Sequence, residues 1–178
     1  MGAYNDEILL VHIPKTGGTA VKRHLREHVP GFEYPDPKDE KSRERTKLPI
    51  GHIPLRDIPK FTGRPLDSWG AIIAVLRNPY EQQLSQWRFW ADRYARGQRH
   101  VHDIMAASCP DMGSFLKHPD CDFHIWYQHR FHPGEPIVRH DYVDGYAQSG
   151  GYYYWWLEVD GAIPDNVKLL KQESLDRD

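Results

Sequence analysis

The chain has 178 residues, with 23 basic and 25 acidic side chains and a formal net charge of −2, so it carries no overall positive field. This balance disfavours a general nucleic-acid-binding protein. The length fits a single domain over residues 1–178 that is large enough to bury a core. No run of about 18 apolar residues is present, and the N-terminus lacks a signal-peptide pattern. We therefore expect no membrane span and a cytoplasmic location.

The cysteine and histidine content predicts neither disulfides nor a metal site. Cys109 and Cys121 are too few for a disulfide framework in a chain of this length, so we expect two free thiols. His118 and His124 lie near them in the sequence, but the spacing of these four residues matches no common zinc motif.

The segment that begins at Ile8 has the pattern of a strand, an anion-binding loop and a helix. Ile8 to Val11 is a short, continuous apolar run, which is typical of a parallel strand buried on both faces. Gly17 and Gly18 let the backbone approach a ligand closely. The helix that follows directs its free N–H groups and its positive dipole end at the loop. The pattern therefore predicts an anion as the occupant.

Three side chains of this loop add donors for an anion. Lys15 supplies a mobile positive charge, and Thr16 and Thr19 supply hydroxyl groups, so a phosphate or sulfate would meet several donors at once. Without them, a glycine pair is more often only a tight strand-to-helix connection. The loop does not match the G-x-x-x-x-G-K-[ST] pattern, because its lysine precedes the glycines, and the chain has no G-x-G-x-x-G dinucleotide motif.

A second apolar run, Ala71 to Leu76, predicts a central parallel strand. Asn78 is a suitable N-cap and Pro79 a suitable first residue for a helix that extends to Gly97. Arg77 lies between the strand and the helix, where open α/β sheets bind their ligands. A nucleotide kinase or ATPase would be expected to place a Mg²⁺-holding aspartate there. The arginine favours a second phosphate site without a metal.

The apolar spacing predicts which helix faces are buried. In the first helix, Val21, Leu25 and Val29 recur every four residues, and we expect Lys22 among the solvated charges between them. In the second helix the predicted core stripe comprises Tyr80, Leu84, Trp87, Ala91 and Tyr94.

Further elements are predicted downstream. Short helices are expected over residues 102–117 and 122–131, and a late strand over residues 167–170. Residues 152–157 favour either a strand or a helix, because their aromatic bias shows no alternation. Residues 35–47 have no apolar anchor and mixed charges, which predicts a mobile loop over a site.

Two segments resemble the sulfotransferases that use 3'-phosphoadenosine 5'-phosphosulfate (PAPS), especially the carbohydrate-type branch. His12 to Thr19, His-Ile-Pro-Lys-Thr-Gly-Gly-Thr, resembles their 5'-phosphosulfate loop. Arg77 to Ser85 resembles their 3'-phosphate motif, in which an arginine and a serine eight positions later hold the 3'-phosphate. Gly51-His52 and Glu173 to Leu175 show weaker likenesses. The resemblance implies these PAPS-binding residues: Lys15, Thr16, Gly17, Gly18, Thr19, Ala20, Arg77 and Ser85.

The resemblance also implies a fold and a reaction. The expected fold is a three-layer α/β/α domain with a central, mostly parallel sheet, similar to that of P-loop proteins. The expected reaction is in-line transfer of the sulfuryl group from PAPS to an acceptor hydroxyl, with 3',5'-phosphoadenosine as product and no metal. His52 is the expected base. Lys15 and the loop N–H groups are expected to stabilise charge on the leaving phosphate.

Two other functions are compatible with the sequence. One is a kinase-like, nucleotide-dependent phosphotransferase, which the altered loop pattern disfavours, and the other is a non-catalytic nucleotide-binding protein of the same fold. The expected partner is a small-molecule or carbohydrate acceptor, because six Trp and ten Tyr exceed what a small core needs and favour a surface for rings or sugars. The pattern implies no particular oligomeric state.

Overall fold

The computed structural model describes residues 3–33, 52–118 and 151–175. The chain divides into two compact units, the first made of Met1–Arg77 and Ala147–Asp178 and the second of Asn78–Tyr146. The single domain over residues 1–178 stays a prediction. The loop predicted over residues 35–47 and the helix predicted over residues 122–131 lie outside the described residues.

The described elements alternate between strands and helices in the α/β manner. The strands are β1 (Ala3–Tyr4), β2 (Ile8–Val11), β3 (Ala71–Leu76) and β4 (Val167–Lys171). The helices are α1 (Gly18–His28), α2 (Ile58–Thr62), α3 (Pro79–Ala95), α4 (Val101–Ser108), α5 (Met112–Lys117) and α6 (Gly151–Leu157). Short 3₁₀ turns cover Leu55–Asp57, Leu66–Ser68 and Gln172–Ser174. None of the helices in these described ranges is long and apolar enough to cross a bilayer.

The first unit is built on a four-stranded sheet with the order β1-β2-β3-β4. β1 runs antiparallel to β2, whereas β2, β3 and β4 are mutually parallel neighbours. The mostly parallel sheet, the strands predicted over residues 8–11 and 71–76 and the late strand are confirmed. Residues 151–157 form a helix, which settles the choice left open for the aromatic segment.

Helix α1 packs on one face of this sheet. Leu25 of α1 forms a buried cluster with Leu10 of β2 and Phe32, and the half-buried Val21 and Val29 pack against it. The predicted stripe of α1 is therefore confirmed. Leu9 and Val11, which alternate with Leu10 in β2, are also buried, so both faces of this strand are covered.

The prediction for Lys22 is wrong. Its side chain belongs to the buried face of α1, with only 7% of the residue exposed. Lys22 lies four residues after Gly18, and residues at that spacing share one face of a helix. The buried face of α1 is therefore wider than the predicted stripe of valine and leucine residues, because it also includes Gly18 and Lys22.

In its described part, residues 78–118, the second unit is a cluster of three helices that follow Asn78. The Asn78 side chain accepts hydrogen bonds from the N–H groups of Tyr80 and Glu81, which confirms the predicted cap of α3. The segment predicted as helical over residues 102–117 forms α4 and α5, separated by Cys109 to Asp111. The core among these three helices consists of Trp90, Met105, Ala106, Cys109 and Phe115, with Trp87, Ala91 and Leu116 packed against it.

The predicted core stripe of α3 is only partly right. Trp87 and Ala91 pack against the core of the unit, but Tyr80 is 69% exposed and Tyr94 is 36% exposed. The buried positions of α3 are Gln82, Gln83, Gln86 and Trp90. This stripe is rotated about the helix axis because α4 and α5 pack on the Trp90 side. The spacing of apolar residues does not predict this stripe, because glutamine is polar. The buried amides can bond to each other, and the Gln83 Nε2 donates to the Gln82 Oε1 at 3.1 Å.

Candidate anion-binding site

The loop between β2 and α1 turns sharply before the helix. Lys15 has a φ of +62° and Gly17 a φ of +90°, both in the left-handed region. Glycine adopts this conformation at no steric cost, but a lysine seldom does. Among the described residues, only Asp160 is a second non-glycine residue with positive φ. An outlier of this kind beside a helix N-terminus marks the loop as a candidate binding site.

The first turn of α1 offers backbone N–H groups to an anion. Gly17 is the N-cap residue and offers no side chain to the helix, and the first turn contains no acidic residue. The first N–H groups of a helix have no acceptor within the helix. The N–H of Ala20 already bonds to the Gly17 carbonyl at 2.9 Å. By their position, the N–H groups of Gly18 and the exposed Thr19 are therefore the backbone donors of the first turn.

Thr16 supports the loop from inside. Its residue is fully buried, and its hydroxyl donates to the Ile13 carbonyl at 3.0 Å. The hydroxyl thus closes the loop on itself, and its role as a donor to the anion stays a prediction.

The loop fits closely around His12. A Cβ atom added at Gly18 would lie 2.3 Å from the His12 Cδ2 atom, so the imidazole packs directly against the backbone where α1 begins. At Gly17, the added Cβ would meet the Gln172 side chain at 2.9 Å. Both glycines therefore lie where side chains of the chain itself approach the backbone, and the predicted approach of a ligand stays a prediction.

Arg77 brings a second positive charge to the loop. Its Nη1 donates to the Lys15 carbonyl at 3.4 Å. Burial, and secondly the positive charge of Arg77, lower the pKa of the Lys15 ammonium below its usual value of 10.5. The predicted phosphate arginine thus lies beside the loop that carries the predicted phosphate-loop lysine, and bound anionic groups would offset the repulsion between the two cations.

The hydroxyl of Tyr153 holds the backbone of Arg77. It donates to the Arg77 carbonyl at 2.6 Å and accepts from the Arg77 N–H at 3.2 Å. Sequence reasoning missed Tyr153, because nothing in the run of aromatic residues at 152–156 distinguishes one ring from its neighbours. Ser85 lies in α3, half-buried, in the second unit, and its pairing with Arg77 stays a prediction.

His52 lies on the side of the site that carries His12. Its Nδ1 is 2.6 Å from the His12 carbonyl oxygen, and the two imidazole centroids are 4.8 Å apart. A carbonyl only accepts, so Nδ1 carries the hydrogen and Nε2 keeps its lone pair. Burial, with smaller effects of His12 and Lys22, lowers the pKa of His52 well below its usual 6.5. The ring is therefore neutral at physiological pH.

Lys22 is the second residue that sequence reasoning missed. It is buried, and its positive charge makes the smallest of the contributions to the lowered pKa of His52. The spacing of four residues from Gly18 was the available signal.

The described ranges hold no candidate metal site. No group of three or more histidine, cysteine, aspartate or glutamate side chains in these ranges is arranged to hold a metal ion. Cys109 is a buried free thiol in the core of the second unit, and Cys121 lies outside the described residues.

The contact between His12 and Gly18 predicts the outcome of a glycine substitution. Gly18→Ala should lower the free energy of unfolding by roughly 1–3 kcal/mol, because the new methyl group overlaps the imidazole. Without this overlap, alanine would stabilise a helical position by about 1 kcal/mol relative to glycine. Urea denaturation measures the change. The double variant Gly18→Ala/His12→Ala is the control and should lose less stability than the sum of the single variants. A stabilised Gly18→Ala protein would contradict the packing described.

The lowered pKa of His52 predicts a pH dependence of stability. Since the unfolded chain binds the proton more readily than the folded one, stability is lost as the pH falls below 6.5. This residue contributes at most about 1.4 kcal/mol per pH unit. Between pH 7.5 and 5.5, His52→Gln should lose less stability in urea denaturation than the wild type does. The control is His24→Gln, a substitution on the exposed face of α1, which should lose as much stability as the wild type over this pH range. Equal losses of stability in all three proteins would contradict the lowered pKa of His52.

The likeness to sulfotransferases rests on short motifs. The chain matches no protein-family model, and neither a curated protein nor a solved structure matches it. The geometry of the loop, Arg77 and His52 is therefore the structural basis for a function of this chain.

Proposed function

We propose that this protein is a PAPS-dependent sulfotransferase that moves a sulfuryl group to an acceptor hydroxyl. The observation that carries the proposal is the contact of Arg77 with the Lys15 carbonyl at the N-terminus of α1. Two cations and a set of backbone donors at one place suit a ligand with more than one anionic group. PAPS has such groups at both its 5' and 3' positions.

The residues of the loop fit the 5'-phosphosulfate. The N–H groups of Gly18 and Thr19 supply donors at the positive end of the helix dipole, and Lys15 supplies a full charge. Arg77 is suited to the 3'-phosphate, because its planar guanidinium can donate two parallel hydrogen bonds to phosphate oxygens. Ser85 is proposed as the second donor to that group.

His52 is suited to the proton transfer that the reaction requires. In the proposed step, the acceptor oxygen bonds to sulfur while the bond from sulfur to the 5'-phosphate oxygen breaks. The hydroxyl proton goes to Nε2 of His52, which is neutral because of its lowered pKa. Lys15 and the loop N–H groups stabilise the charge that grows on the departing 3',5'-phosphoadenosine.

A three-layer, P-loop-like architecture is proposed to support this site. The parallel order of β2, β3 and β4 supports it, as does the covering of β2 on both faces. In this arrangement the loop after β2 and Arg77 after β3 follow the carboxyl ends of adjacent parallel strands. The proposed acceptor is a small molecule, with carbohydrate hydroxyls the first class to test.

The two phosphate sites predict selective nucleotide binding. At a hundredfold excess over its Kd, 3',5'-phosphoadenosine should stabilise the fold by about 2.7 kcal/mol, and adenosine 5'-monophosphate at the same concentration by much less. Arg77→Lys should weaken the binding of 3',5'-phosphoadenosine by about 1–3 kcal/mol, because lysine keeps the charge but lacks the planar guanidinium that donates two parallel hydrogen bonds. Calorimetric titration and thermal unfolding measure both effects.

The control for this experiment is Arg23→Lys, a matched change on the exposed face of α1, which should bind like the wild type. Equal stabilisation by the two nucleotides would remove the case for a 3'-phosphate site. Stronger stabilisation by ATP with Mg²⁺ would favour the phosphotransferase instead.

The role of His52 predicts a loss of turnover without a loss of binding. His52→Gln should lower kcat for a confirmed acceptor by about 10²–10⁴-fold, the usual value of general-base catalysis, while PAPS affinity changes little. Steady-state kinetics with labelled PAPS measures both. His24→Gln on the surface of α1 should be unaffected. Near-normal turnover of His52→Gln would mean that another group takes the proton.

A further inference from the structure

We propose that Tyr153 is the positioning residue for Arg77, and that its hydroxyl sets the affinity of the site for nucleotides that carry a 3'-phosphate. This inference rests on the proposed function, because it assigns the 3'-phosphate to Arg77. It adds a residue from α6, a segment for which the sequence predicts no site residue.

The Tyr153 hydroxyl forms a two-point clamp on the backbone of Arg77, with one bond to each of the two peptide groups that flank its Cα. Arg77 is the first residue after β3, so its backbone groups lie just beyond the last ladder position, Leu76 paired with Lys171. The Tyr153 hydroxyl accepts from the N–H of Arg77 at 3.2 Å and donates to its carbonyl at 2.6 Å. One hydroxyl can do both, because it has one hydrogen and two lone pairs.

The clamp requires the protonated phenol. Burial raises the pKa of Tyr153 to about 12, so the hydroxyl keeps the hydrogen that it donates to Arg77 throughout the physiological range. The phenol therefore acts as a fixed hydrogen-bonding group, and a role as an acid or base is not part of the proposal.

The clamp determines where the guanidinium can reach. The Arg77 side chain extends from the clamped backbone to the Lys15 carbonyl, with Nη1 at 3.4 Å. A bidentate contact with phosphate depends on the orientation of the planar group, and that orientation follows from the backbone that carries it. Removing the hydroxyl frees the backbone at Arg77 and broadens the positions of the guanidinium, whereas the loop donors of α1 stay in place.

The same helix offers a matched control. The hydroxyl of Tyr154, the next residue, also donates to a backbone carbonyl at 2.6 Å, but its acceptor is Gly161 in an exposed turn. Tyr153→Phe and Tyr154→Phe therefore remove the same atom and the same kind of bond from adjacent positions. Only the first bond is connected to Arg77.

The experiment compares the affinities of the full-length variants for two ligands by calorimetric titration. Tyr153→Phe should bind 3',5'-phosphoadenosine roughly 3- to 10-fold more weakly, the fold-change that corresponds to about one hydrogen bond. Its affinity for adenosine 5'-monophosphate should not change, and Tyr154→Phe should bind both ligands like the wild type. A general loss of folding would weaken both ligands together, so the ratio of the two affinities is the informative quantity.

A double-mutant cycle separates positioning from a merely structural role. In the Arg77→Lys background, Tyr153→Phe should cause little further loss of affinity for 3',5'-phosphoadenosine, because the group that it positions is already altered. Equal losses of affinity in both backgrounds, or an unchanged affinity ratio in Tyr153→Phe, would overturn the positioning role of Tyr153 but not the proposed function. A wild type that does not distinguish the two nucleotides would overturn the proposed function and this inference with it.

Discussion

The hydrogen bond from Arg77 to the Lys15 carbonyl joins the two segments on which the site depends. One segment is the loop after β2, and the other is the residue that follows β3, its parallel neighbour. Their closeness follows from the register of the sheet, because parallel neighbours end at the same edge. The contact also places two positive charges together in a partly buried place, which lowers the pKa of Lys15. A bound anion would offset this repulsion, so the proximity of the two cations, which is unfavourable in the free protein, would become favourable in the proposed complex.

Other features of the unit hold this arrangement in place. Thr16 closes the loop through Ile13, the His12 ring fills the space beside Gly18, and the Tyr153 hydroxyl fixes the backbone of Arg77. The His12 backbone carbonyl also orients His52, so one residue contacts both the start of α1 and the expected base. The left-handed conformation of Lys15 is maintained within this packing. A loop held in this way would be prearranged for the proposed anionic ligand, and less entropy would be lost on binding.

The features that the sequence predicted are those with local signals. Continuous apolar runs predicted β2 and β3, and an Asn-Pro pair predicted the start of α3, since capping depends on adjacent residues. Features that depend on which elements pack together were missed. Burial of Lys22 and the rotated stripe of α3 depend on neighbours that periodicity does not identify. Tyr153 was indistinguishable from the tyrosines beside it, because its role comes from a bond to a residue 76 positions away.

Transfer of radiolabelled sulfuryl group from PAPS to a pooled panel of sugars, phenols, lipids and peptides tests the central claim most directly. We expect the wild-type protein to move label to at least one hydroxyl-bearing acceptor and to release an equal amount of 3',5'-phosphoadenosine. Lys15→Ala should abolish both, because it removes the charge that stabilises the leaving phosphate. Tight binding of 3',5'-phosphoadenosine without transfer to any member of the panel would contradict the account and favour a non-catalytic nucleotide-binding protein.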